Sequence, residues 1–488
     1  MDPRTPVIVG VSEQSQRPDD LATALETSAL MTECVRAAAA DAGASGLLSK
    51  LDTVAAVYGA WRYSDPGRLV ADAVGSPDAR TLLSFHGGNT PQSYVNALAA
   101  QIQRGELDVA VIVGAETIWS RRRMRKEGID RPVTEQVDIE PTERFQSDVS
   151  MSTEFEASRG LVAPINFYPI FESAIGADRG RSIDEHRTAI AELWARFNAV
   201  AVDNPHGWNR TAMTAADIRE PSPDNRMVGF PYTKAMNSNW DLDQGAAILL
   251  CSAEAAEAAG VARDRWVFPH AGTDAHDTYA VSNRRDLHSS PAIQAAGAKL
   301  FELTGRGPDD LDHIDLYSCF PSAVQIGAAE LGLDLDRQLT VTGGLCFAGG
   351  PLNNYVSHSI ATMVEVLRND AGSLGLVTAN GGYVTKHALG IYSTEPADHA
   401  FAAEDVQATV DAVPSTPDDP SFTGRATIEA ATVMHDHTGA ETGLVAMITP
   451  EGARTWASST NAATMAMLMT DDAIGSSATV AGDGQLLV

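Results

Sequence analysis

Tyr317, Cys319, Asn380, Tyr383, His387 and His358 are the side chains of this chain whose types and neighbours could do chemistry. A tyrosine pair can give a proton to an alkoxide or take one from it, and the Asn380 amide can hold an enolate oxygen. Cys319, in Leu316-Tyr317-Ser318-Cys319-Phe320-Pro321, reads either as a small buried hydrophobe or as an active-site thiol. Cys346, inside Gly344-Leu345-Cys346-Phe347-Ala348, reads as structural. His358 lies in an apolar helical pattern, as a satisfied core histidine or a pocket group, while His387 follows Tyr383 beside a glycine run.

A motif that occurs twice must position these groups. His86-Gly87-Gly88-Asn89-Thr90-Pro91 opens an apolar helix and then a strand ending Gly114-Ala115-Glu116. Gly349-Gly350-Pro351-Leu352-Asn353-Asn354 opens a second helix, whose strand ends Asn380-Gly381-Gly382. A glycine pair allows close backbone approach and leaves the free N–H groups of a helix start exposed, where oxyanions and phosphates are stabilised. Asn89 and Thr90 add polar side chains at the first start. Two such starts imply one active site built from two related halves.

The remaining pattern is layered α/β. Residues 7–11, 51–58, 81–85 and 109–113 read as strands, the last apolar on both faces as a central strand should be. Residues 20–42, with Asp20 as cap, and 91–104 read as helices. Residues 121–231 read as an irregular insertion holding one helix at 183–202, of the kind that forms a lid or substrate loop. Asp243-Gln244-Gly245-Ala246-Ala247 leads into a strand at 248–251, and the second half follows with helices at 290–303 and 322–330 around a strand at 314–317. The boundaries expected are a first half at 1–255, a second half at 256–395, a Pro/Asp/Ser-rich linker at 396–424 and a small all-β module at 425–488. His435 and His437 flank a hairpin turn and read as turn residues, so no metal site is expected.

The 488 residues carry 35 Lys plus Arg against 64 Asp plus Glu, a formal charge of −29. So acidic a surface disfavours nucleic acid and anionic membranes as partners, and an anionic ligand needs a local basic patch. Arg121-Arg122-Arg123, with Arg125 and Lys126, is one, read as a solvated loop or as a phosphate-binding or inter-subunit loop. The cysteines, Cys34, Cys251, Cys319 and Cys346, lack CxxC spacing, so neither disulfides nor zinc is expected. With no signal-peptide pattern and no run near the roughly 18 apolar residues of a span, a cytoplasmic protein is expected.

The two glycine-pair helices, Asp243-Gln244-Gly245-Ala246-Ala247, Tyr317-Ser318-Cys319-Phe320 and Asn380-Gly381-Gly382-Tyr383 together resemble the thiolase superfamily. The resemblance covers about residues 5–395. It is closest to the proteins related to sterol-carrier-protein thiolases, and among them to mycobacterial type-1 thiolase-like proteins with an added C-terminal domain. It implies a five-layered αβαβα fold of two similar halves with an inserted loop domain, while the short alternating segments and hairpin signals of residues 425–488 read as a small barrel similar to an oligonucleotide/oligosaccharide-binding (OB) fold, packed on the body or over the mouth of its active site. It also implies a coenzyme A thioester as ligand, the chemistry of an acyltransferase of lipid metabolism, and Arg121, Arg122 and Arg123 as candidates for the CoA phosphates. No bound cofactor is expected. The nucleophilic cysteine of the family falls at or beside Gly88, its activating histidine at Gly350 and its acid/base cysteine near Thr378, and Tyr317 replaces a further histidine. Thiolysis needs a thiolate and a base, so ordinary thiolase activity is not expected. Two other readings stand beside an acyl-CoA-binding protein: a retro-aldol lyase on a bulky β-hydroxyacyl-CoA, with Tyr317 or Tyr383 as acid/base and Asn380 as oxyanion donor, and a non-catalytic scaffold. Pairing through residues 81–85 would give a homodimer; a covered edge would give a monomer.

Overall fold

The computed structural model describes residues 1–131 and 133–487. The first half is built on β1 (Pro6–Ser15), β2 (Thr53–Ala56), β3 (Arg80–Ser84), β4 (Val109–Thr117), β5 (Glu143–Phe145) and β8 (Asp243–Ser252), in the order β1-β8-β4-β2-β3-β5. A short hairpin, β6 (Met227–Gly229) and β7 (Tyr232–Thr233), precedes β8. Every residue of β4 and β8 is buried, the reason these stretches are apolar without alternation. The second sheet holds β9 (Phe268–His276), β10 (His313–Asp315), β11 (Leu374–Gly381), β12 (Lys386–Ser393) and β13 (Ala402–Asp405), in the order β10-β11-β12-β9-β13.

Between the sheets lie the two repeat helices, Thr90–Arg104 and Tyr355–Asn369, packed on each other and on strands of both. Helices Thr27–Asp41 and Pro66–Val74 cover the outer face of the first sheet, and Pro291–Thr304 and Pro321–Glu330 lie with the second. The expected five layers of two similar halves are therefore present. Neither Asn89 nor Asn354 bonds to its helix start through its side chain, so both central helices open toward the same region with free N–H groups.

Several boundaries differ from the sequence reading. The helix expected over 20–42 starts as a short 3-10 turn, Leu21–Thr23, capped by Asp20, and the α-helix spans Thr27–Asp41. The insertion is largely helical: the arginine run lies on helix Ile118–Glu127 rather than a loop, and Glu154–Ser158, Pro164–Asp178 and Ala215–Arg219 join the expected Ile183–Asp203. Pro164 occupies the first helical position, where no N–H is needed, and the burial of Phe167, Tyr168, Ile170 and Phe171 carries the helix past Pro169. The expected linker supplies β13, which pairs in parallel with β9. β3 is not a free edge: β5 pairs with it from Leu82↔Glu143 to Ser84↔Phe145.

The C-terminal module contains β14 (Gly424–His435), β15 (Ala440–Ile448), β16 (Arg454–Ser459), β17 (Ser477–Val480) and β18 (Leu486–Leu487), ordered β16-β15-β14-β17-β18. A parallel bridge, Ser458↔Gln485, closes this sheet on itself. Helix Ala462–Leu468 between β16 and β17 corrects the all-β expectation. The module packs on the body: the Trp456 indole donates to Ser282 Oγ at 2.8 Å, and the Ala431 N–H donates to Ser173 Oγ at 3.0 Å on helix Pro164–Asp178. Among the described residues no helix is long and apolar enough to cross a membrane.

Candidate functional site

Both helix starts open on a cleft of about 1740 Å³, lined at its floor by Gly88, Tyr317, Cys319, Phe320, Gly350 and Asn380 and at one wall by Tyr168. Gly88 is glycine for lack of room. A β-carbon there would lie 2.5 Å from both the Tyr317 hydroxyl and the Asn380 carbonyl oxygen. The phenol of Tyr317 thus fills the space a side chain at 88 would need. At Gly350 a β-carbon would run into the Ser238 hydroxyl. Thr378 is a structural tie, its hydroxyl accepting the Tyr317 N–H at 2.9 Å.

The Tyr317 ring meets Tyr355 edge-on at 5.6 Å. Burial, with a smaller contribution from Cys319, holds its pKa well above 10, so the phenol is neutral. Cys319 is likewise held as the thiol, its pKa raised by burial to about 12, and it has no thiolate to offer as nucleophile. The N–H groups of Gly88 and Asn89 find no acceptor in the protein. Of the two residues Gly88 alone lines the cleft, where an oxyanion could meet its N–H.

Tyr168 was not singled out in the sequence, although it sets the chemistry of Asn380. Its hydroxyl donates to the Gly382 carbonyl at 3.1 Å and accepts from the Val384 N–H at 3.2 Å and from Asn380 Nδ2 at 2.9 Å. Its ring stacks on Phe320 at 4.3 Å. The second Asn380 N–H points to Cys319 Sγ at 4.0 Å, and the buried Oδ1 has no partner in the protein. Asn380 therefore presents an acceptor, not the oxyanion donor expected. The signal for Tyr168 was the aromatic pair Phe167-Tyr168, hidden by its flanking prolines.

Other expected site residues turn elsewhere. The Tyr383 hydroxyl donates to the Val162 carbonyl at 3.1 Å and its ring stacks on Phe167 at 4.2 Å, which ties a loop down outside the cleft. His387 lies 3.6 Å from Asp277 and lines a separate enclosed cavity of about 20 Å³ behind the floor. His358 is buried against Glu13 at 3.0 Å. Asn89 reaches inward to Ser93 at 3.2 Å, and the Thr90 hydroxyl is buried without a partner. None of these five lines the cleft.

The cleft lining is also charged and aromatic, with Asp217, Glu220, Asp224 and Asp241 beside its cations. Arg17 lies 3.6 Å above the Trp208 ring and Arg123 lies 4.1 Å above Trp119. Arg122, Lys234 and the half-exposed Trp240 also line the cleft. Arg122 and Arg123 share Asp241 at 3.2 and 3.8 Å. Arg121 does not join them; it bonds to the Thr117 carbonyl at 3.2 Å and faces Glu116.

Two layered halves meeting at paired helix starts over one cleft make a thiolase fold. The solved monomeric SCP2-thiolase-like protein type 1 from Mycobacterium smegmatis is 32% identical, each chain covering 100% of the other, with a TM-score of 0.86. This chain belongs to that type-1 family of the thiolase superfamily. Residues 405–485 match the model of the thiolase-like protein type 1 additional C-terminal domain. An acetyl-CoA acetyltransferase of Methanothermobacter thermautotrophicus is 25% identical over 292 residues, 56% of this chain and 71% of that one. The structure described as the Ltp2-ChsH2(DUF35) aldolase, 17% identical with a TM-score of 0.59, covers 81% of this chain and 99% of its own, and shares the fold.

Proposed function

We propose that the chain binds coenzyme A thioesters in this cleft and lacks ordinary thiolase activity. One observation carries the second part: at the helix start a thiolase-type nucleophile would use, position 88 has neither a thiol nor room for one beneath Tyr317. For the first part, Arg17, Arg122, Arg123 and Lys234 line the cleft against Asp217, Glu220, Asp224 and Asp241, a local balance of charge on a chain of net charge −29 that gives an anionic ligand cations to meet. Calorimetry with coenzyme A should give saturable binding, and acetoacetyl-CoA with coenzyme A should give no thiolytic turnover. Turnover at an ordinary thiolase rate would overturn the proposal.

A second reading, carbon–carbon bond cleavage or formation on a β-hydroxyacyl-CoA, is favoured by the Tyr317 hydroxyl packed against Gly88 in the cleft floor, a glycine whose N–H has no acceptor in the protein. Tyr317 acts alone in it, because Tyr383 lies outside the cleft. Held neutral, the phenol gives a proton to an alkoxide in the condensation direction more readily than it takes one in cleavage. Tyr317→Phe should abolish such turnover, and an unchanged rate would remove this reading. In solution the protein acts as a monomer, since β5 occupies the β3 edge and the M. smegmatis relative is described as monomeric. Sedimentation should give about the chain mass of 51.6 kDa.

A further inference from the structure

The imidazole of His86 is the group in the cleft that no role above absorbs. It precedes the first glycine pair and lines two cavities, the main cleft and a side pocket of about 620 Å³ between Trp61, Phe85 and Arg144. Asn353, from the second glycine-pair segment, holds it. The Asn353 Oδ1 accepts the Gly87 N–H at 3.1 Å, which leaves its Nδ2 to donate to the Tyr58 carbonyl at 2.9 Å and to His86 Nδ1 at 3.3 Å. These bonds fix the amide orientation, so Nδ1 is an acceptor and the neutral ring carries its proton on Nε2. Nε2 has no partner in the protein and is not sealed from the cavities.

Burial and a neighbouring charge favour the neutral ring. Burial first, and then the nearby Lys386 ammonium, lower the His86 pKa from 6.5, while Asp148 opposes them. Lys386 Nζ is itself anchored on the His86 carbonyl at 3.0 Å. The ring is thus a fixed donor, two residues from the free N–H of Gly88, facing the space a ligand enters. A neutral imidazole cannot take a proton at Nε2, but it can polarise a carbonyl without giving its own proton up.

We propose that His86 is a catalytic residue: its Nε2–H donates to the thioester carbonyl oxygen of the bound ligand, beside the Gly88 N–H, and withdraws charge from that carbonyl. The inference rests on the cleft being a coenzyme A thioester site. An imidazole from the first half, locked by an asparagine from the second, then supplies the polarisation.

The test uses the full chain and acetyl-CoA labelled with carbon-13 at the thioester carbonyl. Bound to the native protein, its infrared carbonyl stretch should fall below the value in water. In His86→Phe the shift should be lost and affinity should fall by only about 2- to 10-fold, as for one neutral hydrogen bond. His86→Gln, which keeps a donor, should retain part of the shift. Nitrogen-15 imidazole spectra of the free protein at pH 7.5, assigned by difference from His86→Gln, should show the Nε2–H tautomer, a readout that needs no ligand. An Nδ1–H tautomer or an imidazolium would overturn the proposal, as would an equal carbonyl shift in His86→Phe. Failure of acetyl-CoA to bind any of the proteins would remove the thioester site itself, and the proposal with it.

Discussion

What a side chain can do at the cleft floor is decided by the room left for it. Gly88→Cys restores the family's nucleophile by type and should not restore thiolysis. Its β-carbon meets the Asn380 backbone carbonyl as well as the Tyr317 hydroxyl, and backbone cannot swing aside. The expected result is a destabilisation of about 1–3 kcal/mol in urea with no turnover of acetoacetyl-CoA. That Gly88, Gly350 and Thr378 are neither cysteine nor histidine was legible in the sequence, because a residue type is read without the fold. The directions of Tyr383, His387 and His358 were not, since each depends on which neighbouring element its side chain meets. Glu116 shows the same with a charge. It is buried at the end of β4, one carboxylate oxygen accepting from the Ala60 N–H at 2.7 Å and the other without a partner. Burial raises its pKa from 4.5 to about 7, against the Ala60 bond and Arg121. The folded protein therefore keeps a proton that the unfolded chain has lost, and stability falls as pH rises from about 4.5 to 7. Glu116→Gln should narrow the stability difference between pH 5 and pH 8 by about 1–3 kcal/mol. Urea midpoints at both pH values check this, and an unchanged difference would mean that the carboxyl is ionised throughout.

Strongly periodic elements were the readable ones. Helices Thr90–Arg104 and Ile183–Asp203 and the core of β4 appear within a few residues of their expected limits, because burial and helix signals agree there. Helix Pro164–Asp178 was missed because two prolines argue against it locally while tertiary burial holds it. Its stability comes from contacts that sequence spacing does not show. Glu172 on this helix, fully buried, accepts from the Tyr232 hydroxyl and His186 at 2.5 Å each and from Gln325 Nε2 at 2.6 Å. The Tyr232 hydroxyl in turn accepts the Ser322 N–H at 3.1 Å, and the Ser322 hydroxyl donates to the Tyr168 carbonyl at 3.1 Å. Four segments of the chain are joined at one carboxylate just behind the cleft wall. Glu172→Leu leaves His186, Tyr232 and Gln325 without their acceptor, and should cost about 3–5 kcal/mol in denaturant unfolding. The added Tyr168→Phe substitution should then cost less than in the native background, because the two act through one network. Additive losses would show that the carboxylate does not position Tyr168.

The molecule as a whole covers two of its own surfaces. One is the β3 edge, covered by β5; the other is the outer side of helix Pro164–Asp178, covered by the C-terminal module. The module was legible as short β segments after residue 424, and so was its packing on the body, but the residues that make the attachment were not, because Arg454 and Trp456 look in sequence like ordinary strand residues. Arg454 is completely buried, paired with Glu429 through two bonds of 2.6 and 2.7 Å. It also donates to the carbonyls of Ser282 at 2.9 Å and Arg284 at 2.6 Å. Trp456 stands edge-on to Phe167 at 6.3 Å, the residue before Tyr168. The barrel thus braces the helix that forms the cleft wall. Apart from Arg454, Arg425 is the only cation between residues 425 and 488, too little for a nucleic-acid groove. Its role is then intramolecular, and Arg454→Met tests it. The substitution keeps an apolar stem but strands Glu429 and two backbone carbonyls, and should cost about 3–5 kcal/mol. Undocking should appear as new proteolytic cleavage between residues 406 and 424 and as weaker coenzyme A binding, because Tyr168 loses its support. Loss of the module contact with full retention of coenzyme A affinity would mean that the barrel protects the body without shaping the cleft.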